Sequence, residues 1–170
     1  QHGGQSVPKF DYDMAVGVRK TYKRHFKNNL IKAFDMYDIN LDAAHILDLI
    51  KEENHIEPKY LQSDIKLYIK QKVNLPMIDK ILSFVQKEAQ RETEKDTYQA
   101  MESLIHNLNT MHSRAGAQVP FSSLNYGTDT SEEGRLVVKQ LLLATQRGLG
   151  EGETPIFPIQ IFKVKKGVNL

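Results

Sequence analysis

Between Asp13 and Asp35 the chain carries Arg19, Lys20, Lys23, Arg24, Lys27 and Lys32 with no acid among them. Cations at this density suit a ligand with several negative charges, such as a triphosphate, because each guanidinium or ammonium adds charge-assisted hydrogen bonds to phosphate oxygens. On a helix, Lys20, Arg24 and Lys27 share one face, and Arg19 and Lys23 another. A solvated helix face would use the same residues, so the cluster by itself leaves both readings open. Upstream, Gln1-His2-Gly3-Gly4 offers glycines whose backbone N–H groups could approach a phosphate, or could form an ordinary turn.

A second group of chemical interest is Pro120-Phe121-Ser122-Ser123-Leu124-Asn125. Ser122, Ser123 and Asn125 place hydroxyl and amide groups near the end of an expected strand, where α/β barrels bind their ligands. Alternation puts Ser123 and Asn125 on one face and Ser122 on the other, and turn formation at Asn125-Tyr126-Gly127 is the competing use of these residues. Gln160, beside Phe157 and Pro158, is a further candidate for the same interior. These four are the substrate-binding candidates. The six histidines show no HxxH or HxxxH pair, so no metal site is expected from their spacing; His25, His45 and His106 read as helix residues. Asp11, Asp13, Glu92 and Glu94 read as caps and surface charges, and no nucleophile–histidine–acid arrangement or GxSxG is present. No catalytic residue is assigned.

Composition limits the remaining classes. A chain of 170 residues with 40% hydrophobic and 26% charged residues is long enough for a core and ordinary for a globular protein. A net charge of +2 gives no general pull toward nucleic acid or a membrane surface. The apolar runs are too short to span a bilayer, and the first residues lack a signal-peptide pattern. With no cysteine at all, the chain has neither a disulfide framework nor a thiolate metal site.

The elements that must position these groups change character near Ser113. Residues 1–112 hold 16 basic and 16 acidic residues, against 7 and 5 in 113–170, where Gly, Pro and Thr become frequent. The first part reads as helical and the second as strand–helix–strand, an α/β, helix-rich organisation. Helices are expected over Asp13–Phe34 (Met14, Val18, Tyr22, His25, Phe26), Leu41–Ile50 (Ile46, Leu47, Ile50), ended by Pro58 at the latest, and Leu61–Val73, where strand alternation competes. Another is expected from Pro76 at its first position, with Ile78, Ile81, Leu82, Val85 and Ala89 as its stripe and Tyr98, Met101, Leu104, Ile105, Leu108 and Met111 continuing it. The polar run Arg91–Asp96 is either a solvated stretch or a break. Gly116 is expected to close the helical region. Strands are expected over Gln118–Leu124 and Pro155–Val164, flanking a helix over Leu136–Arg147 that opens at Thr130 or Ser131, with a Thr130/Glu133 capping box, and is closed by Gly148 and Gly150. That unit predicts a parallel crossover.

Several blocks in order carry a resemblance: Gln1–Ala15 (QHGGQSVPKFDYDMA), Glu94–Met111 (EKDTYQAMESLIHNLNTM), and His112–Asn169 with HSRAGAQVPFSSLNYGTDTSEEGR and LLLATQRGLGEGETPIFPIQIFKVKKGVN. They resemble the catalytic subunit of anaerobic (class III) ribonucleotide reductases, glycyl radical enzymes that reduce ribonucleotides to 2′-deoxyribonucleotides. Leu41–Lys87 is the least diagnostic stretch. The resemblance implies an internal fragment of a larger enzyme, contributing to a ten-stranded α/β barrel. It implies a homodimer whose helices after the Gln-aromatic-Gly-Gly motif bind a dNTP or ATP effector, which makes Gln1, Lys23, Arg24, Lys27 and Lys32 the effector candidates. It also implies nucleoside triphosphate substrates, a radical-SAM activating protein as partner, and a cytoplasmic setting. The family's reactive cysteines, glycyl radical loop and structural zinc site lie outside the matching blocks, so no cofactor and no turnover are expected of this chain alone. The competing reading is a non-catalytic nucleotide-binding or oligomerisation module derived from such an enzyme.

Overall fold

A computed structural model describes residues 4–50, 64–74, 76–110, 121–150 and 152–170. Its elements run in the order β1 (Gly4–Val7), α1 (Phe10–Asp35), α2 (Ala43–Ile50), α3 (Asp64–Lys72), α4 (Ile78–Thr110), β2 (Phe121–Tyr126), α5 (Glu132–Arg147) and β3 (Ile159–Phe162). By internal contacts the chain forms two compact units, residues 19–93 and residues 1–18 with 94–170. The compositional change near residue 113 falls within the second of these.

The 19–93 unit is helical because its apolar residues repeat at helical spacing. On α1, Tyr22, Phe26, Leu30 and Phe34 recur every four residues and are 0–1% exposed. Ile46 and Ile50 of α2, Ile65 and Ile69 of α3, and Ile78, Leu82, Val85 and Ala89 of α4 supply the facing surfaces. Full burial of a side chain of this size contributes roughly 1.5–3 kcal/mol. Polar groups fix the helix ends. Asp42 caps α2, its Oδ1 accepting from Ala44 N at 3.0 Å, and Asp42 N donates to Tyr68 Oη at 3.2 Å. The His45 ring meets Tyr68 edge-on at 4.6 Å. Lys66 pairs with Asp79 at 2.5 Å, and that hydrogen bond holds the exposed Asp79 carboxyl below its ordinary range. His25 and Glu92 approach at 2.6 Å.

In the other unit β1, β2 and β3 form one parallel sheet in that order. Gly4, Gln5, Ser6 and Val7 pair with Phe121 to Leu124, and Ser123 to Tyr126 pair with Ile159 to Phe162. The β2–α5–β3 passage is therefore the expected parallel crossover. Met101 and Ile105 of α4 are buried in this unit, and Asn109 grips the approach to β3. Its Oδ1 accepts from Ile156 N and Phe157 N at 2.9 and 3.0 Å, while Nδ2 donates to Phe157 O at 2.6 Å.

Several sequence expectations need correction. The segment from Gly4 to Val7 is a strand, which the sequence did not suggest, and Gly3 lies outside the described residues. Four residues with little hydrophobic pattern gave no signal, since what makes them a strand is a partner more than a hundred positions away. Pro76 precedes α4 rather than opening it: the first α4 bond runs from Ile81 N to Met77 O. Arg91–Asp96 is not a break: α4 runs through it as one long helix, with Thr93 the buried residue of the stretch at 0% exposed; its hydroxyl donates to Ala89 O at 2.6 Å, which makes burial of a polar residue tolerable. Ser131, not Thr130, caps α5, accepting from Gly134 N at 3.1 Å. Met14 and Leu47 are exposed, and β3 is shorter than Pro155–Val164, beginning after a cis Phe157–Pro158 bond. Leu61–Val73 resolves as helix over its described part. Pro58, Gly116 and residues 118–120 lie outside the described residues. No helix among the described residues is long and apolar enough to cross a membrane.

Candidate functional site

The basic cluster comes together on α1 in the 19–93 unit. Burial of Tyr22, Phe26 and Leu30 on one side of the helix turns Lys20, Lys23, Arg24 and Lys27 to another. These four line a cleft of about 440 Å³ with Leu47, Asp48 and Ile50 of α2. At 1.5 Å rise per residue the four cations cover roughly 10 Å of helix, so one extended anion could meet several at once. Leu47 and Ile50 add an apolar wall, and Asp48 is the acceptor among the lining groups, suited to a sugar hydroxyl. Sequence reasoning divided the cations between two faces. The cleft gathers Lys23 with Lys20, Arg24 and Lys27, because a cavity reaches across adjacent rows of a helix. Arg19 and Lys32 do not line it, and Gln1 lies outside the described residues.

The strand candidates occupy the three-stranded sheet. Ser123 Oγ donates to Ser6 Oγ at 3.1 Å, and Asn125 Nδ2 donates to Ser6 Oγ at 3.5 Å and Val7 O at 3.3 Å. Ser6, Ser123 and Asn125 thus form one polar trio on one face, edged by Phe121, Ile159 and Ile161, each more than 40% exposed. Ser6 was missed from sequence for the reason that β1 was missed. The opposite face carries Ser122, Leu124 and Tyr126, all buried, and Gln160, the partner of Leu124 in register. Gln160 Oε1 accepts from Tyr126 Oη at 2.8 Å, and its Nε2 donates to Thr145 Oγ1 of α5 at 2.7 Å. Burial pushes the Tyr126 hydroxyl above the ordinary phenol range, which keeps it protonated and donating. Gln160 and Ser122 therefore stand on the helix-covered face, apart from Ser123 and Asn125. Ser122 Oγ is buried there without a hydrogen-bond partner among the described residues.

Among the described residues no three His, Cys, Asp or Glu side chains gather as a metal site would require. His25 and His45 are engaged with Glu92 and Tyr68.

These arrangements can be set beside known proteins. The family model described as anaerobic ribonucleoside-triphosphate reductase matches residues 1–170. The chain belongs to that family. Among curated relatives, the anaerobic ribonucleoside-triphosphate reductase of Enterobacteria phage T4 is 42% identical over 83 residues, which are 48% of this chain and 14% of the phage protein. That of Haemophilus influenzae is 40% identical over 77 residues, 45% of this chain and 11% of the relative. The Escherichia coli protein is 37% identical over 82 residues, 48% of this chain and 11% of its own length. The chain thus matches only a small part of the length of the family's curated members.

Proposed function

We propose that this chain is part of the catalytic subunit of an anaerobic ribonucleoside-triphosphate reductase, which makes deoxyribonucleotides by radical chemistry. In this reading residues 1–112 serve the dimer interface and the effector nucleotide, and residues 113–170 form barrel wall. The observation that carries it is the family match over the whole chain, joined to a cleft where Lys20, Lys23, Arg24 and Lys27 meet. A triphosphate supplies the charges that such a cleft answers, Asp48 suits a ribose hydroxyl, and Leu47 with Ile50 suits a base. The parallel sheet is compatible with three strands of the family's ten-stranded barrel, with the trio of Ser6, Ser123 and Asn125 facing the substrate. The glycyl radical, the zinc and the activating protein would serve other parts of the subunit.

Calorimetry with dTTP and with thymidine tests the effector assignment. The triphosphate is expected to bind at least tenfold more tightly, and its affinity to fall as salt rises. Equal binding of thymidine, or no response to salt, would overturn it.

Self-association is a second expectation. Tyr12, Met14 and Val16 on α1 are 39–49% exposed, and Leu67 and Phe84 are each 59% exposed. Burial of apolar surface at about 25 cal/mol per Å² favours a partner, and a two-fold dimer is the commonest form. Sedimentation at micromolar concentration should show a dimer; a monomer without concentration dependence would count against the assigned interface.

A further inference from the structure

Asp11 stands on the first turn of α1 yet is 1% exposed, so it is not the surface charge that its neighbourhood in the sequence implies. Both carboxylate oxygens accept from backbone. Tyr12 N donates to Oδ1 at 3.0 Å, and Gly127 N and Asp129 N donate to Oδ2 at 2.9 and 3.0 Å. Between those two residues, the Thr128 carbonyl accepts from Tyr12 Oη at 2.9 Å. Each of residues 127, 128 and 129 is therefore held by the start of α1. A carboxyl group suits this task, since both of its oxygens accept hydrogen bonds.

The turn so held follows Asn125 and Tyr126 at the C-terminal end of β2. Asn125 Nδ2 is itself engaged by Ser6 and Val7 of β1, and β1 passes through Pro8 and Lys9 directly into α1. The β1–α1 segment thus locates Asn125 from both sides. With Nδ2 committed and no donor to Oδ1 among the described residues, Asn125 Oδ1 can accept a hydrogen bond from a ligand at the rim where parallel sheets bind their substrates. We propose that Asp11 is a positioning residue: it fixes the 127–129 turn so that Asn125 Oδ1 meets a sugar hydroxyl of a ribonucleotide. This rests on the reductase reading above.

The test is Asp11→Asn in the reductase subunit containing this chain. The substitution keeps shape but sets an amide N–H₂ against backbone donors on one side or the other. A fall in kcat/KM of about 10- to 100-fold is expected, the scale of an ångström-sized misplacement, with dTTP affinity unchanged. Asp11→Glu should recover part of the loss. If Asp11 were only structural, Tm and folded yield would fall while kcat/KM per folded site stayed level, and the proposal would be wrong. Should Asp11→Asn fail to fold, Tyr12→Phe removes only the Thr128 tether and should lower kcat/KM two- to fivefold; parity there refutes the idea. If the unsubstituted subunit yields no deoxyribonucleotide, the reductase reading fails. Positioning is then decided on this chain by NMR: the Asn125 side-chain amide should shift with the Gly127 and Asp129 amides in Asp11→Asn, and an unmoved Asn125 signal overturns it.

Discussion

Replacing Arg24 and Lys27 together with alanine should weaken dTTP binding by about a hundredfold or more. Both line the cleft beside α2. A hydrogen bond to a charged group contributes roughly 1.5–3 kcal/mol, so two lost contacts remove about 3–6 kcal/mol, and each 1.4 kcal/mol is tenfold in affinity. The helix should survive, since its stability rests on Tyr22, Phe26, Leu30 and Phe34 on the buried side, and alanine is a good helix former. Lys32→Ala is the informative companion. Lys32 stands outside the cleft, and its loss should cost only a few-fold through the general field. Calorimetry on the three proteins decides the matter. Should the double substitution bind as the parent does, the cations are a solvated face and the nucleotide, if it binds, sits elsewhere.

The second large effect is expected at Gly127. Its φ of 119° lies where residues with a side chain are strained. A Cβ there would meet the Phe162 ring at 2.8 Å and Lys163 O at 2.9 Å. Strain of about 1–3 kcal/mol combines with overpacking of about 1–3 kcal/mol, so Gly127→Val should destabilise the unit holding the sheet by roughly 2–6 kcal/mol. Gly150 separates the two causes. Its φ is 112°, but nothing among the described residues lies within 4 Å of a Cβ, so Gly150→Ala should show strain alone. Urea unfolding followed by circular dichroism gives both values, and a Gly127→Val midpoint equal to the parent's would contradict the crowding argument.

Helices were legible in the sequence wherever one apolar stripe repeated, as Ile78, Leu82, Val85 and Ala89 show, because their burial needs only a local period. The basic cluster was legible for the same reason: helical spacing brings Lys20, Arg24 and Lys27 together before any packing is known. Features that depend on distant partners were not. β1 carries a strand's hydrogen bonds but no strand's pattern. Asp11 has the sequence context of a cap and the environment of a buried acceptor, and only the turn after β2 reveals the difference. Thr93 belongs to a polar run that the sequence leaves open as a solvated stretch or a break, yet it is buried and satisfies its hydroxyl within its own helix. Ser123 and Asn125 were placed on a common face by strand alternation, whereas the third member of their trio, Ser6, came from pairing.

The pairing of β1 with β2 also fixes an order of events in time. Ser6 and Ser123, which touch across it, are 117 residues apart in sequence. Closing a loop of that length costs about 4 kcal/mol in chain entropy from length alone. During synthesis at 5–20 residues per second, β1 waits roughly 6–25 s for its partner to emerge. The 19–93 unit is contiguous and is made entirely within that interval. The helical unit can therefore complete itself first, while the β1–β2 pairing, with the polar trio and the Asp11 clamp, waits for the late strand to emerge.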